Sequence, residues 1–236
     1  MRKLHDILVA GGLSALLLLS VSCERTADPN PDRLGWSYYP LKLGDYRLYD
    51  VYRIQYNFAT PNDTLEYELL ERVADYYLNQ TNDTIFILRR QRRYSQGGSW
   101  QLDSSYSVQR TPRQLVQGIN NRPQVQLVFP LGEGIRWNSN MLNASPADTF
   151  EMRTLGRTFT VDNTVYDTSL RVVQEDIDDV IVKRDMREEV YALGVGLVYK
   201  LTDQQNYCTT NCSEPGSITS GLFLEMKLKE HGNDTP

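Results

Sequence analysis

Residues 46–58 read Tyr-Arg-Leu-Tyr-Asp-Val-Tyr-Arg-Ile-Gln-Tyr-Asn-Phe, and their period is two. Tyr46, Leu48, Tyr52, Ile54, Tyr56 and Phe58 share one side, broken only by Asp50. Arg47, Arg53, Gln55 and Asn57 share the other, thickened by Tyr49 and Val51. Such alternation makes a strand with one face on a core and one in water, and the tyrosine face is the one expected to pack inward. The pattern returns in Trp100, Leu102, Tyr106 and Val108, in Val125, Leu127 and Phe129, and in Leu222, Leu224, Met226 and Leu228. Further runs at 84–94, 158–161, 168–175, 180–191 and 195–201 are divided by Asn-Asp, Gly-Gly and Asp-Asp turn signals. Residues 65–78 carry helical spacing at Leu65, Leu69, Val73 and Tyr77, with Asp63 and Glu66 as a capping box. They also alternate, and the strand is preferred because a hairpin through Asn82-Asp83 pairs it directly with 84–93. Residues 138–147 are a second helix candidate. The body is therefore mainly β, one antiparallel sheet system forming a single domain over residues 34–236.

The N-terminus reads as an address. Residues 1–22 have a positive start at Arg2 and Lys3, an apolar run from Ile7 to Val21, and small residues Ser20 and Ser22 before Cys23. This is the anatomy of a secretory signal, too short for a stable membrane span. A cysteine at that place resembles a bacterial lipobox, in which the thiol takes a diacylglyceryl group and becomes the mature N-terminus. Leu19 lies one place further back than the usual pattern has it. Ser20 and Ser22 also satisfy an ordinary signal peptidase, and a retained anchor is the third reading. Residues 23–33 are then the lipidated N-terminus and a polar, proline-containing tether. The other two cysteines, Cys208 and Cys212, lie four apart in a polar stretch, and a loop-closing disulfide is expected in an oxidising compartment. No Cys or His pair is available to complete a zinc tetrahedron with them.

The chain has 236 residues and a formal charge of −5, with no Lys/Arg-rich tail. That balance argues against nucleic acid as a partner, since such affinity comes largely from phosphate neutralisation. Taking Arg2, Lys3 and Asp6 from the 25 basic and 29 other acidic residues plus Asp6 leaves 23 basic and 29 acidic, so membrane attachment rests on acyl chains such as palmitate. Fifteen tyrosines against six phenylalanines suit half-buried strands. Only two histidines occur, His5 and His231, and the second lies in a polar tail, which removes most nucleophile–histidine triads. The remaining enzyme reading is a paired-carboxylate hydrolase among Glu133, Asp185, Glu188 and Glu189, and the protein is expected not to be an enzyme.

Three motifs stand in order: Trp36-Ser-Tyr-Tyr-Pro-Leu41 with Gly44-Asp-Tyr-Arg-Leu-Tyr49, Phe129-Pro-Leu-Gly-Glu-Gly-Ile-Arg-Trp137, and Glu189-Val-Tyr-Ala-Leu-Gly-Val-Gly-Leu-Val-Tyr199. Together they resemble uncharacterised lipoproteins of the Bacteroidota over most of residues 36–230. The resemblance implies a curved antiparallel sheet, a half-barrel or incomplete barrel, whose concave face can hold an apolar guest. It also implies a diderm envelope and the outer membrane, and supplies no catalytic residues. The prolines and glycines of these motifs are expected to set strand entries and bends, and Trp36 and Trp137 to cover a barrel end.

Tyr46, Tyr52, Tyr56, Trp100 and Tyr106, on the apolar sides of successive strands, are the candidate ligand contacts. The expected function is a lipid-anchored, non-enzymatic binding or accessory module, with a small apolar molecule or an envelope protein as partner. A scaffold or adhesion subunit and a glycan-binding surface lipoprotein are the alternatives. Two charged clusters complete the reading. The acidic residues of 175–179 are expected at a solvated hairpin tip, with a weak calcium site as the alternative. Arg89 and Arg93 should point one way and Arg90 and Arg92 the other, pairing with Glu66, Glu68 and Glu71. No metal or cofactor is expected.

Overall fold

The computed structural model describes residues 34–58, 60–94, 97–210 and 214–234. The signal peptide, the tether, Cys23 and Cys212 lie outside the described residues. After a 3-10 turn at Trp36–Tyr38 the chain forms twelve strands. The first six are β1 (Asp45–Tyr56), β2 (Asp63–Leu78), β3 (Thr84–Arg93), β4 (Gln101–Arg110), β5 (Gln114–Ile119) and β6 (Arg122–Val128). The second six are β7 (Arg136–Asn138), β8 (Thr149–Val161), β9 (Thr164–Asp179), β10 (Lys183–Ala192), β11 (Gly196–Tyr207) and β12 (Ile218–Asn233). Every strand pairs antiparallel with its sequence neighbour in one sheet, and β1 pairs with β12. The sheet curls into a barrel that is nearly closed, with a single seam between β6 and β7.

The first and last strands thus sit in the middle of the sheet, and the gap falls halfway along the chain. β7 is three residues long, and the seam is bridged by the Val125 N–H to Ser139 O at 2.8 Å. The Trp137 indole N–H donates to Val125 O at 2.9 Å, and its ring meets Phe150 edge-on. Trp137 is therefore a seam residue, whereas Trp36 covers an end as expected. That end is shut by residues 34–41: Tyr38, Tyr39 and Leu41 are buried in the core, and Ser37 O accepts from the Gly194 N–H at 2.8 Å. Gly35 has a φ of 83°, and a Cβ there would lie 2.3 Å from Leu131, so the plug packs only with glycine.

The long segment 65–78 is strand throughout, and its hairpin with β3 runs through Asn82, which takes a φ of 61°. The helix candidate at 138–147 is a run of turns. Asn138 Oδ1 accepts from the N–H groups of Asn140 and Asp148, giving the backbone local partners that compete with a helix. The acidic run 175–179 lies within β9 and not at the tip, because Asp176 and Asp178 find cross-strand arginines in Arg153 and Arg184. The tip is Val180, Ile181 and Val182, held by Asp179 Oδ1 accepting from two of their N–H groups and left exposed. β12 continues through His231 to Asn233, so the polar tail is strand as far as Asn233.

The largest correction concerns which face is inside. On β1 the buried side is Arg47, Tyr49 and Val51, at 1%, 0% and 3% exposure, and Tyr46, Tyr52 and Tyr56 lie on the outer side. Across β2 the partners of the inner three are Glu71, Leu69 and Tyr67, and across β12 Tyr49 and Val51 face Leu228 and Met226. The inner face carries its own counter-charge, which lets an arginine occupy a core position. Past the end of β10 the β8–β9 hairpin folds back over the outside, with Phe159 on Tyr199 at 5.7 Å and Asp162 reaching Lys227 at 3.3 Å.

Backbone exchange should report this order. With few hydrogen bonds across the seam, amides of β6 and β7 open locally, while β1 and β12 open only with the whole sheet. Hydrogen–deuterium exchange by mass spectrometry is expected to show Arg122–Val128 exchanging well before Asp45–Tyr56, and Trp137→Phe to widen that difference. Faster exchange in β1 than in β6 would contradict a seam at this place.

Candidate functional site

A cavity of about 260 Å³ lies inside the barrel. Its wall is made by side chains from β2, β3, β4, β5, β6, β8, β9, β10 and β11, and by Tyr39 of the plug, which only a lumen allows. Phe150, Ile119 and Leu197 are its aliphatic and phenyl surfaces, and Tyr39, Tyr106 and Tyr191 its phenols. The rest is polar: Glu71, Arg90, Arg187, Glu189 and Lys200, and the amides of Gln117, Gln124, Gln126 and Gln174.

Glu71 is the centre of the charge network. Arg47 meets its Oε1 through Nε at 3.1 Å and Nη2 at 3.0 Å, and Arg90 meets its Oε2 through Nε at 2.7 Å and Nη2 at 2.6 Å. Each guanidinium takes one carboxylate oxygen. Burial pushes the Glu71 carboxyl up, and the charges and hydrogen bonds of Arg90 and Arg47 more than reverse that, leaving it below its ordinary value. Arg47 is held further by Nη1 donating to Val195 O at 3.2 Å. Its guanidinium occupies the space where a side chain on Gly196 would begin, 2.6 Å from an added Cβ, so the second glycine of the Gly-Val-Gly motif makes room for it. Arg90 stacks on Tyr106 at 4.5 Å.

The second buried carboxylate is Glu189. Lys200 Nζ donates to its Oε1 at 2.6 Å and the Tyr191 hydroxyl to its Oε2. Burial raises this carboxyl too, and Lys200 and the two hydrogen bonds bring it below its usual range. Arg187 completes the set, with Asp185 at 2.8 Å and both oxygens of Asp148 at 3.1 and 3.2 Å. The arginines of β3 divide as expected: Arg90 goes in to Glu71, Arg93 goes out to Glu68, and Arg92 pairs with Asp103.

The amides are arranged differently. Gln126 donates to Gln124, which donates to Ser139 across the seam at 3.3 Å. Gln117 and Gln174 have 7% and 8% exposure, line the cavity, and have no side-chain hydrogen-bond partner among the described residues. Their amide groups are open to the cavity and bond to water or to whatever else fills it.

Of the five aromatic candidates only Tyr106 reaches this cavity. Tyr46 lies outside, its ring under Arg72 and its hydroxyl donating to Glu230 at 2.6 Å. Tyr52 packs on Phe223, Tyr56 is half-buried beside Gln55 on the outer side, and Trp100 lies under Arg93 at 4.5 Å. Of the residues that do converge, Lys200, Gln117 and Gln174 escaped the sequence reading, while Glu189 was named only among the candidate hydrolase carboxylates. One signal pointed to them: Glu71 was named as a partner of the arginine cluster. Among the described residues no group of three or more Asp, Glu, His or Cys is placed to hold a metal ion.

Removing Glu71 leaves two buried guanidiniums with no anion, and Glu71→Gln is expected to destabilise the barrel by about 3–5 kcal/mol in urea unfolding. The pH dependence follows from the sign of the shifts. Glu71 and Glu189 have depressed values in the fold, so their stabilisation is present above the unfolded value near 4.3 and is lost as pH falls below it toward the folded values. Unfolding free energy should be level from pH 7 to about 5 and fall steeply below about 4.3, with a shallower fall in Glu71→Gln. An equal slope in the variant would remove Glu71 from this account.

No protein-family model matches the chain, and no curated protein matches it. Among solved structures it is similar to a Bacteroides fragilis protein described as exported and of YmcC-like fold, with a TM-score of 0.44 and 12% identity over 83% of this chain and 98% of that one. It is also similar to a Parabacteroides distasonis protein described as a lipoprotein, with a TM-score of 0.40 and 9% identity over 83% of this chain and 98% of that one.

Proposed function

We propose that the protein is a lipid-anchored envelope lipoprotein that holds a small polar molecule in its lumen and performs no chemistry on it. The anchor rests on Cys23 and the signal before it, and the outer membrane is the membrane we assign. The binding role rests on one observation, the two buried amides of Gln117 and Gln174 that turn into the lumen without a protein partner. The geometry favours a polar ligand over the apolar guest that the tyrosine pattern suggested, because ion pairs and amides make most of the wall. The volume decides the size. A cavity of about 260 Å³ suits a small molecule rather than an extended acyl chain. A non-catalytic role is supported by the two carboxylates, since each is held ionised by cations and neither is poised to give or take a proton.

A scaffold or adhesion role is the second reading. It is favoured by the exposed Phe58, Val180 and Ile181, at 76%, 74% and 69%, which stand at the end of the barrel opposite the plug.

Native mass spectrometry of the full lipoprotein, taken from envelopes in detergent, tests the reading. Three results are expected: a diacylglyceryl mass on Cys23, the mass deficit of a Cys208–Cys212 disulfide, and a stoichiometric water-soluble adduct. The adduct should be lost in the Gln117→Leu, Gln174→Leu double variant. An unmodified Cys23 would overturn the anchor. A lumen that retains the same adduct in the double variant, or only an apolar one, would overturn the polar site and leave the scaffold reading.

A further inference from the structure

We infer that the lumenal ligand carries a carboxylate, flanked by hydroxyl or amide groups, and that Lys200 is the cation that meets it. This rests on the reading of the lumen as a polar binding site and adds to it the ligand's charge.

The argument is a count of unused valences. Both oxygens of Glu71 are taken by arginines, and both oxygens of Glu189 by Lys200 and Tyr191. The strong acceptors of the wall are therefore engaged. Donors are not. An ammonium has three N–H groups, and among the described residues Lys200 gives only one, to Glu189, so two are unused beside the cavity. The amide groups of Gln117 and Gln174 add further free donors. Arg187 spends three of its five N–H groups on Asp148 and Asp185 and keeps one on each Nη. Those two aspartates do not line the cavity. Arg90, Arg187 and Lys200 line the cavity with Glu71 and Glu189, and with Arg47 behind Glu71 and Asp148 and Asp185 behind Arg187 the network balances, so what distinguishes the wall is its unused N–H groups. A donor-rich wall is matched by an acceptor-rich ligand, and a carboxylate, which only accepts, is the group that an ammonium with two unused N–H groups meets best.

The approach agrees with the wall. A second cavity of about 490 Å³ shares Ile119 and Gln124 with the lumen and lies at the end away from the plug, between the β5–β6 turn and the loop after β7. Asn120, Asn140, Asn143 and Ser145 line it with Arg122, and no Asp or Glu does. On a chain with a net charge of −5, this mouth is free of acidic groups. An anion entering there meets amides and one guanidinium before it reaches Lys200.

Calorimetry on the full lipoprotein in detergent, with two matched pairs of probes, tests the inference. D-glucuronate against D-glucose represents a sugar acid, and N-acetylglycine against N-acetylglycinamide represents the end of an acylated peptide. The acid of at least one pair should bind at least tenfold more tightly than its neutral partner, and the pair that shows it identifies the source of the carboxylate. Lys200→Gln should abolish that preference, and Lys200→Arg should keep part of it. Neutral and acidic probes binding equally to the native protein would overturn the charge inference and leave the polar lumen standing. No binding by any of the four, with Gln174→Leu indistinguishable from native in its adduct mass, would overturn both. The native comparison needs no variant, so a Lys200→Gln protein that fails to fold does not decide the matter.

Discussion

The barrel is organised around a carboxylate between two guanidiniums. Glu71 sits on β2 with Arg47 of β1 on one side and Arg90 of β3 on the other, so three successive strands are locked by one anion. A buried charge is tolerated only when its counter-charges are held in place, and each member here is held. Arg47 is fixed by the carbonyl of Val195 and by the absence of a side chain at Gly196, and Arg90 by the face of Tyr106. The Gly-Val-Gly sequence of the third motif is explained by a residue some 150 positions earlier in the chain.

That anion also divides the interior. Toward the plug the space is filled by apolar side chains such as Leu88, Val108, Leu127 and Met152, packed under Tyr38 and Tyr39. Toward the other end it opens into the polar lumen. The charged groups thus lie over an apolar base and line the cavity beside it, and the tyrosines contribute phenol rings to that layer, where arginines stack on them. The outer face repeats the same chemistry at lower cost, with Glu68 between Arg93 and Lys229, in a setting where solvent screens it.

A period of two was readable and the face it buries was not. Alternation in β1 separates Tyr46 from Arg47, and hydrophobicity then assigns the tyrosines to the core; the opposite holds because Glu71, distant in sequence, neutralises Arg47. The β2–β3 hairpin and the split of the arginines were legible, since both depend on residues within one hairpin. The lumen was not, because its wall collects one to three residues from each of nine strands and the pairing of β1 with β12 that closes it has no local signal. Local chemistry misled in two places. The acidic run looked like a turn because its arginines are on neighbouring strands, and 138–147 looked helical because its asparagines, which bond their own backbone, were counted only as spacing.

The seam falls between β6 and β7, and the chain enters through the plug into β1, which is paired with β12 over Asp45–Tyr56 and with β2 over Tyr46–Gln55. A pull applied at the N-terminus therefore runs along the axis of a central strand and loads its two ladders in shear, many hydrogen bonds at once. The weak join lies half a circumference away and bears little of that force.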